Sequence, residues 1–173
     1  TKTAANTAVI TALEFLNGTV PAALLMDDFS GIPLHAYREQ YSVNVKGKIQ
    51  AACSIASALS SIHEKGIAHR NIDNRCILLS GTGQVSDAAF TFLALSAIQE
   101  SDGILTGPDL KDFHNCISWE YSSPEMSGFT AMQPDRRSDL YSLGIVLYEF
   151  FTGTLPFRLK DLSEIKHWHS AVQ

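Results

Sequence analysis

The segment SDLYSLGIVLYEFFT, residues 138–152, most constrains the fold of this chain. Leu140, Leu143, Ile145, Val146, Leu147, Phe150 and Phe151 leave it almost no polar face. A helix that is apolar nearly all round belongs inside a protein, so the pattern predicts a buried central helix. Gly153 stops it, and Pro156-Phe157 follows. It is not a membrane span. The longest apolar run, Leu143 to Phe151, is broken by Gly144 and Glu149 and falls far short of roughly 20 residues. The rest of the 173 residues must therefore wrap this helix, in a single hydrophobic core.

The wrapping elements are both helical and extended. Residues 8–16 and 19–26 are apolar runs separated by Asn17-Gly18, which predicts a β-hairpin. Asp27 to Leu34, with Gly31 and Pro33, reads as a connector. Residues 46–64 read as a helix. Ile49, Ala52, Cys53, Ala56, Leu59 and Ile62 make one apolar stripe, and Lys65-Gly66 is a stop. Cys53 on that stripe is expected to be a small core residue. Strands are expected at Cys76–Leu79 and Gln84–Phe90 around a turn at residues 80–83. Thr91 to Ser123 is loop-like, and residues 161–172 read as an amphipathic helix capped by Asp161 or Ser163.

Charge and cysteines narrow the setting. Lys plus Arg number 13 against 18 Asp plus Glu, a net charge of −5, which argues against nucleic acid or an anionic membrane as partner. Cys53, Cys76 and Cys116 are odd in number, widely spaced and without a CxxC pair. With no signal-peptide pattern at the N-terminus, they predict reduced thiols and a cytoplasmic location. His167 and His169 lie two apart, so on a helix they share no face for a metal.

Four segments, in order along nearly the whole chain, resemble the protein kinases. The run His63 to Leu78, HEKGIAHRNIDNRCIL, resembles the catalytic loop H-R-D-x-x-x-x-N with its preceding helix. Tyr121-Ser-Ser-Pro-Glu125 resembles the A-P-E end of an activation segment. Asp139 to Glu149, with Thr152 to Phe157, resembles the central helix of the large lobe. Leu24 to Gly31 resembles the strand that runs into the hinge. The resemblance implies an α+β, kinase-like fold. Residues 1–34 would be a residual small-lobe hairpin and hinge, and residues 35–173 a mostly helical large lobe. The glycine-rich loop, lysine and glutamate of the small lobe would precede residue 1, and the last helices would follow residue 173. Leu25 to Leu34, Tyr121 to Gly128 and Arg136 to Gly144 are most similar to the kinase-like domains at the N-terminus of fungal hybrid histidine kinases.

Carried residue by residue, the resemblance implies lost chemistry. Asn71 stands at the catalytic-base position, and an amide accepts no proton at neutral pH. Five residues on, at a Mg²⁺-ligand position, stands Cys76, whose soft sulfur suits that ion poorly. Ala89-Phe90-Thr91 stands where Asp-Phe-Gly is expected. An alternative register uses Asp87-Ala88-Ala89 and makes Asp87 a weak metal candidate. Asp73 occupies a position where serine/threonine kinases carry Lys. Met26, Asp27, Asp28 and Phe29 would form the hinge of a degenerate nucleotide pocket. Gly81-Thr-Gly83 is a hairpin turn rather than a phosphate loop. His69, Arg70, Glu125 and Asp139 remain as scaffold, and Arg70 could receive a phosphate from Ser118, Ser122 or Ser123.

The reading that follows is a pseudokinase: a regulatory or docking module in a phosphorelay-type signalling protein. Its partners would be that protein's other domains and further proteins, with no cofactor. One alternative is a serine/threonine-type kinase that binds ATP and Mg²⁺ when intact. Another is an inactive gene fragment.

Overall fold

In the computed structural model, two strands near the N-terminus, β1 (Ala12–Leu16) and β2 (Ala23–Met26), pair antiparallel. Leu16 lies opposite Ala23, Phe15 opposite Leu24 and Glu14 opposite Leu25. This is the expected hairpin; its Asn17-Gly18 turn lies outside the described residues. The structure describes residues 12–16, 23–26, 29–81, 85, 87–99, 105–126, 134–157 and 164. The expected helix at 161–172 therefore falls outside them, apart from a helical Glu164.

A short strand β3 (Ile32–Pro33) leads into α1 (Leu34–Gln40) and the long α2 (Val45–Glu64). Then come β4 (Ile67–Ala68), β5 (Ile77–Leu79), β6 (Ala88–Phe90), β7 (Ala97–Gln99) and β8 (Leu105–Thr106). The helix α3 (Arg136–Thr152) follows. Two antiparallel three-stranded sheets result, β3-β5-β6 and β4-β7-β8.

Both long helices are closed by local chemistry. Asn44 caps α2 by accepting the Gly47 N–H at 2.8 Å. Asp135 and Ser138 form a reciprocal capping box at the start of α3. Gly153 ends α3 at φ +87°, where a Cβ would be strained, and donates its N–H to Glu149 O at 2.8 Å. The core joins Ile55, Leu59 and Ile62 of α2 to Ile77, Leu79 and Phe90 of the hairpin and to Leu143, Val146 and Phe150 of α3. Leu34 and Tyr37 of α1 close it.

The structure corrects four expectations. The buried face of α2 is Gly47, Ala51, Ile55, Ala58, Leu59 and Ile62, whereas Ile49, Cys53 and Ala56 point outward. Cys53 is thus not a core residue. Small side chains ring this helix, and the side that approaches the hairpin and α3 most closely takes the core. Second, α3 is buried on one side only, since Leu140, Tyr148 and Phe151 are exposed. Third, the second hairpin strand is shorter than expected, and its described part is Ala88–Phe90. Fourth, the stretch 91–123 is not plain loop. It holds β7, β8 and 3-10 turns at Leu93–Leu95, Leu110–Cys116 and Trp119–Tyr121.

Candidate functional site

The loop between β4 and β5 carries the candidate site, and Asp139 of α3 fixes its backbone. The buried Asp139 carboxylate accepts the His69 N–H on Oδ2 and the Arg70 N–H on Oδ1, each at 2.8 Å. The His63 ring meets Oδ2 at 2.9 Å. Arg70 has φ +63°, a left-handed backbone that a branched or long side chain disfavours. The two bonds from one carboxylate hold it there. The Arg70 guanidinium is spent on backbone carbonyls, Leu95 O at 2.7 Å and Pro108 O at 3.0 Å. Gly107 makes room for it, because a Cβ there would lie 2.9 Å from Arg70 Nη2. The proposed phosphate sources do not suit it in this arrangement: Ser118, Ser122 and Ser123 are all buried. Glu125 Oε1 accepts the Ser138 hydroxyl at 2.6 Å, which ties the Pro124-Glu125 corner to the capping box of α3.

His69 is fully buried. Its Nε2 meets Thr91 O at 2.9 Å, and its ring packs edge-on against Phe90 at 5.6 Å between centroids. Burial holds its pKa below the ordinary histidine value, against the opposing pull of the Asp139 carboxylate.

Asn71 is occupied by the segment that crosses it. Its Nδ2 donates to Cys116 O at 3.1 Å, and its Oδ1 accepts the Ser118 N–H at 3.0 Å. A carboxylate could make the second bond but not the first.

Asp73 is nearly fully buried and saturated. Oδ1 accepts the backbone N–H of Arg75 at 2.7 Å and of Cys76 at 3.0 Å. Oδ2 accepts from Arg75 Nε at 3.0 Å, Arg75 Nη2 at 2.6 Å and the Ser118 hydroxyl at 2.5 Å. Burial pushes its carboxyl upward, but the hydrogen bonds from Arg75 and Ser118 win and hold it below the ordinary range. Cys76 hydrogen-bonds only inward, its thiol donating to Asp73 O at 3.2 Å, and burial pushes that thiol well above its ordinary pKa.

Ala89 sits in β6 opposite Leu78, buried, with no ligand atom to offer. Asp87 does not join Asn71 and Cys76. It lines a separate cavity of about 210 Å³ beside Cys53, Ser54 and Ser57 of α2. Of the hinge residues, Met26 ends β2 and Phe29 is half-buried, while Asp27 and Asp28 lie outside the described residues. Among the described residues no three His, Cys, Asp or Glu side chains converge on a metal position. A buried thiol at Cys76 and a methyl group at Ala89 are a poor donor set for Mg²⁺, which takes oxygen ligands.

A cavity of about 390 Å³ opens between this loop and the crossing segment. Asn71, Asp73, Arg75 and Cys76 of the loop line it, together with Phe92, Leu95, Phe113 and Cys116. Sequence reasoning missed Arg75 and Ser118 as partners of Asp73. The pairing of Arg75 with an aspartate two residues earlier in a tight turn was visible in the sequence; the contact with Ser118, 45 residues away, was not. It also missed Glu149, which accepts from Asn74 at 3.0 Å and from the Tyr121 hydroxyl at 2.8 Å.

The profile of the protein kinase domain matches residues 2–172. The chain belongs to the protein kinase family. Among curated kinase relatives, serine/threonine-protein kinase unc-51 of Caenorhabditis elegans is 28% identical over 151 residues, 87% of this chain and 17% of that protein. Serine/threonine-protein kinase pkn3 of Myxococcus xanthus is 30% identical over 136 residues, 78% of this chain and 24% of that protein. Hybrid signal transduction histidine kinase G of Dictyostelium discoideum is 48% identical over 64 residues, 37% of this chain and 2% of that protein. The kinase chain thus spans less than a quarter of the length of these three relatives. Among the described residues no helix is long and apolar enough to cross a membrane.

Proposed function

We propose that this kinase domain is a pseudokinase, a regulatory or docking module of a larger signalling protein rather than a phosphotransferase. The observation that carries this reading is the Asn71 carboxamide, which bonds Cys116 O and Ser118 N at once. The group at the base position thereby serves as a clamp on the crossing segment. Cys76 and Ala89, without hard oxygen ligands, support the same reading. The 48% identity with part of a hybrid histidine kinase supports a place beside histidine-kinase domains, and by sequence resemblance the fungal type. In that setting the partners are the protein's other domains, acting in a phosphorelay, and neither ATP nor Mg²⁺ is required.

A second reading has one observation in its favour: relatives named serine/threonine kinases align over most of the chain. The two readings separate in one experiment on the intact protein. Thermal melting is followed with ATP, with and without Mg²⁺, alongside phosphate transfer to a generic protein substrate. The pseudokinase reading expects no Mg²⁺-dependent stabilisation and no transfer. A Mg²⁺-dependent rise in Tm together with transfer establishes the kinase instead.

A further inference from the structure

The polar groups around the 390 Å³ cavity are already engaged with one another. Asp73 accepts five hydrogen bonds, from Arg75 N, Nε and Nη2, Cys76 N and the Ser118 hydroxyl. The Cys76 thiol is tied to the backbone of Asp73, and the Asn71 amide to Cys116 and Ser118. Arg75, the one cation of the lining, is neutralised by Asp73 at 2.6 Å. An anionic ligand would meet a cation already paired with Asp73, and a carboxylate that repels it.

The apolar lining residues offer a different chemistry. These are Phe92, Leu95 and Phe113, and both phenylalanines reach solvent, Phe92 with 67% of its surface exposed. Phe92 also has φ +58°, a conformation strained for an aromatic residue. Burial does not explain this strain, since the ring is mostly outside the core. A ligand laid against the ring would cover it.

We propose that this cavity binds an uncharged, flat aromatic small molecule of two or three rings, laid against Phe92 and Phe113. The volume falls within the range of small-molecule sites, roughly 300–1,000 Å³. Aromatic walls favour offset-stacked or edge-on ring partners. The proposal rests on the reading that Asn71 and Cys76 no longer serve phosphoryl transfer.

The test compares two probes of one skeleton: neutral N-phenyl-1-naphthylamine and its anionic sulfonate, 8-anilinonaphthalene-1-sulfonate. Each is titrated by fluorescence into the intact protein. The neutral probe is expected to saturate at one site and to bind at least about tenfold more tightly than the sulfonate. Phe92→Gly removes the ring and relieves the positive φ. It is expected to keep or raise Tm while weakening the neutral probe by at least about tenfold. Leu140→Ser, on the exposed side of α3, is expected to leave the titration unchanged. Equal binding of the sulfonate, retention of binding in Phe92→Gly, or equal loss in Leu140→Ser overturns the proposal. Mg²⁺-dependent phosphate transfer, measured separately, would sink the pseudokinase reading without moving the dye titration.

Discussion

Asp139 Oδ1 accepts the amide N–H of Arg70 at 2.8 Å, and Arg70 is held there at φ +63°. The central helix thus sets the conformation of a loop residue 69 positions away. The carboxylate serves three donors from a buried position, so replacing it leaves N–H groups without an acceptor. Asp139→Asn keeps the shape but turns an amide toward a donor. It should lower stability by about 3 kcal/mol, which for a chain of this size is a fall in Tm of roughly 6–12 °C. Calorimetry of the variant checks this; a change within about 2 °C would show that the loop does not depend on the helix.

The clamp at Asn71 makes a prediction against intuition. Restoring the family's aspartate at this position, Asn71→Asp, should not restore phosphate transfer. It removes the donor to Cys116 O at 3.1 Å and places a negative charge beside that carbonyl. Stability should fall by about 1–2 kcal/mol. The amides of residues 116–118 should exchange with solvent faster than in the parent. Cys76 and Ala89 remain as they were, so phosphate transfer should stay at background. Its appearance would show that Asn71 alone silences the chain.

The elements that punctuate themselves were legible in the sequence. Gly153 marks the end of α3, whose start was read two residues late at Ser138, and the apolar runs around Asn17-Gly18 mark the β1–β2 pair. The facing of α2 was not legible, because Ala, Ser, Cys and Gly around the helix carry little contrast in hydrophobicity. Its packing side combines Ala51 and Ala58 with Ile55, Leu59 and Ile62. Helix α1 was equally hidden. It is placed by Arg38, whose Nη1 donates to Glu149 O at 3.3 Å, and by the His35 N–H donating to Asn74 O at 3.3 Å. At the site, the substitutions at 71, 73, 76 and 89 could be read by resemblance. What those residues do now could not, because each acts through partners far along the chain or through backbone atoms.

Among the groups that make stability fall with acid, His69 and Asp73 act in separate windows. His69 is held below the ordinary histidine pKa by burial, so the unfolded chain takes up its proton first. Stability should decline as pH falls below about 6.5. Asp73 is held below the ordinary carboxylate range because bonds from Arg75 and Ser118 outweigh its burial. Its contribution is complete above about pH 4 and is lost as pH falls through the lowered value. Arg75→Met should raise the Asp73 carboxyl and bring the acid loss to higher pH, while leaving the histidine window in place. His69→Gln should flatten the upper window alone. Tm measured from pH 3 to 8 on the three proteins checks both; a single unshifted transition in all of them would refute the assignment.

Ser123 occupies the position before the Pro124-Glu125 corner with its side chain fully buried, and its hydroxyl has no hydrogen-bond partner among the described residues. A buried hydroxyl that gives up water and gains nothing is a net loss of stability. Ser123→Ala removes the oxygen and leaves a gap smaller than a methyl group. Stability should therefore rise, by about 1 kcal/mol, or roughly 2–4 °C in Tm. Ser122→Ala is the matched comparison. That hydroxyl is buried too but donates to Ser118 O at 3.2 Å, so its removal should lower Tm instead. Opposite signs at two adjacent serines are a sharper reading than either value alone, since a general effect of Ser→Ala on this segment would move both the same way. Equal falls in Tm would mean that the Ser123 hydroxyl has a partner after all, and that the corner is held by side-chain bonds on both faces.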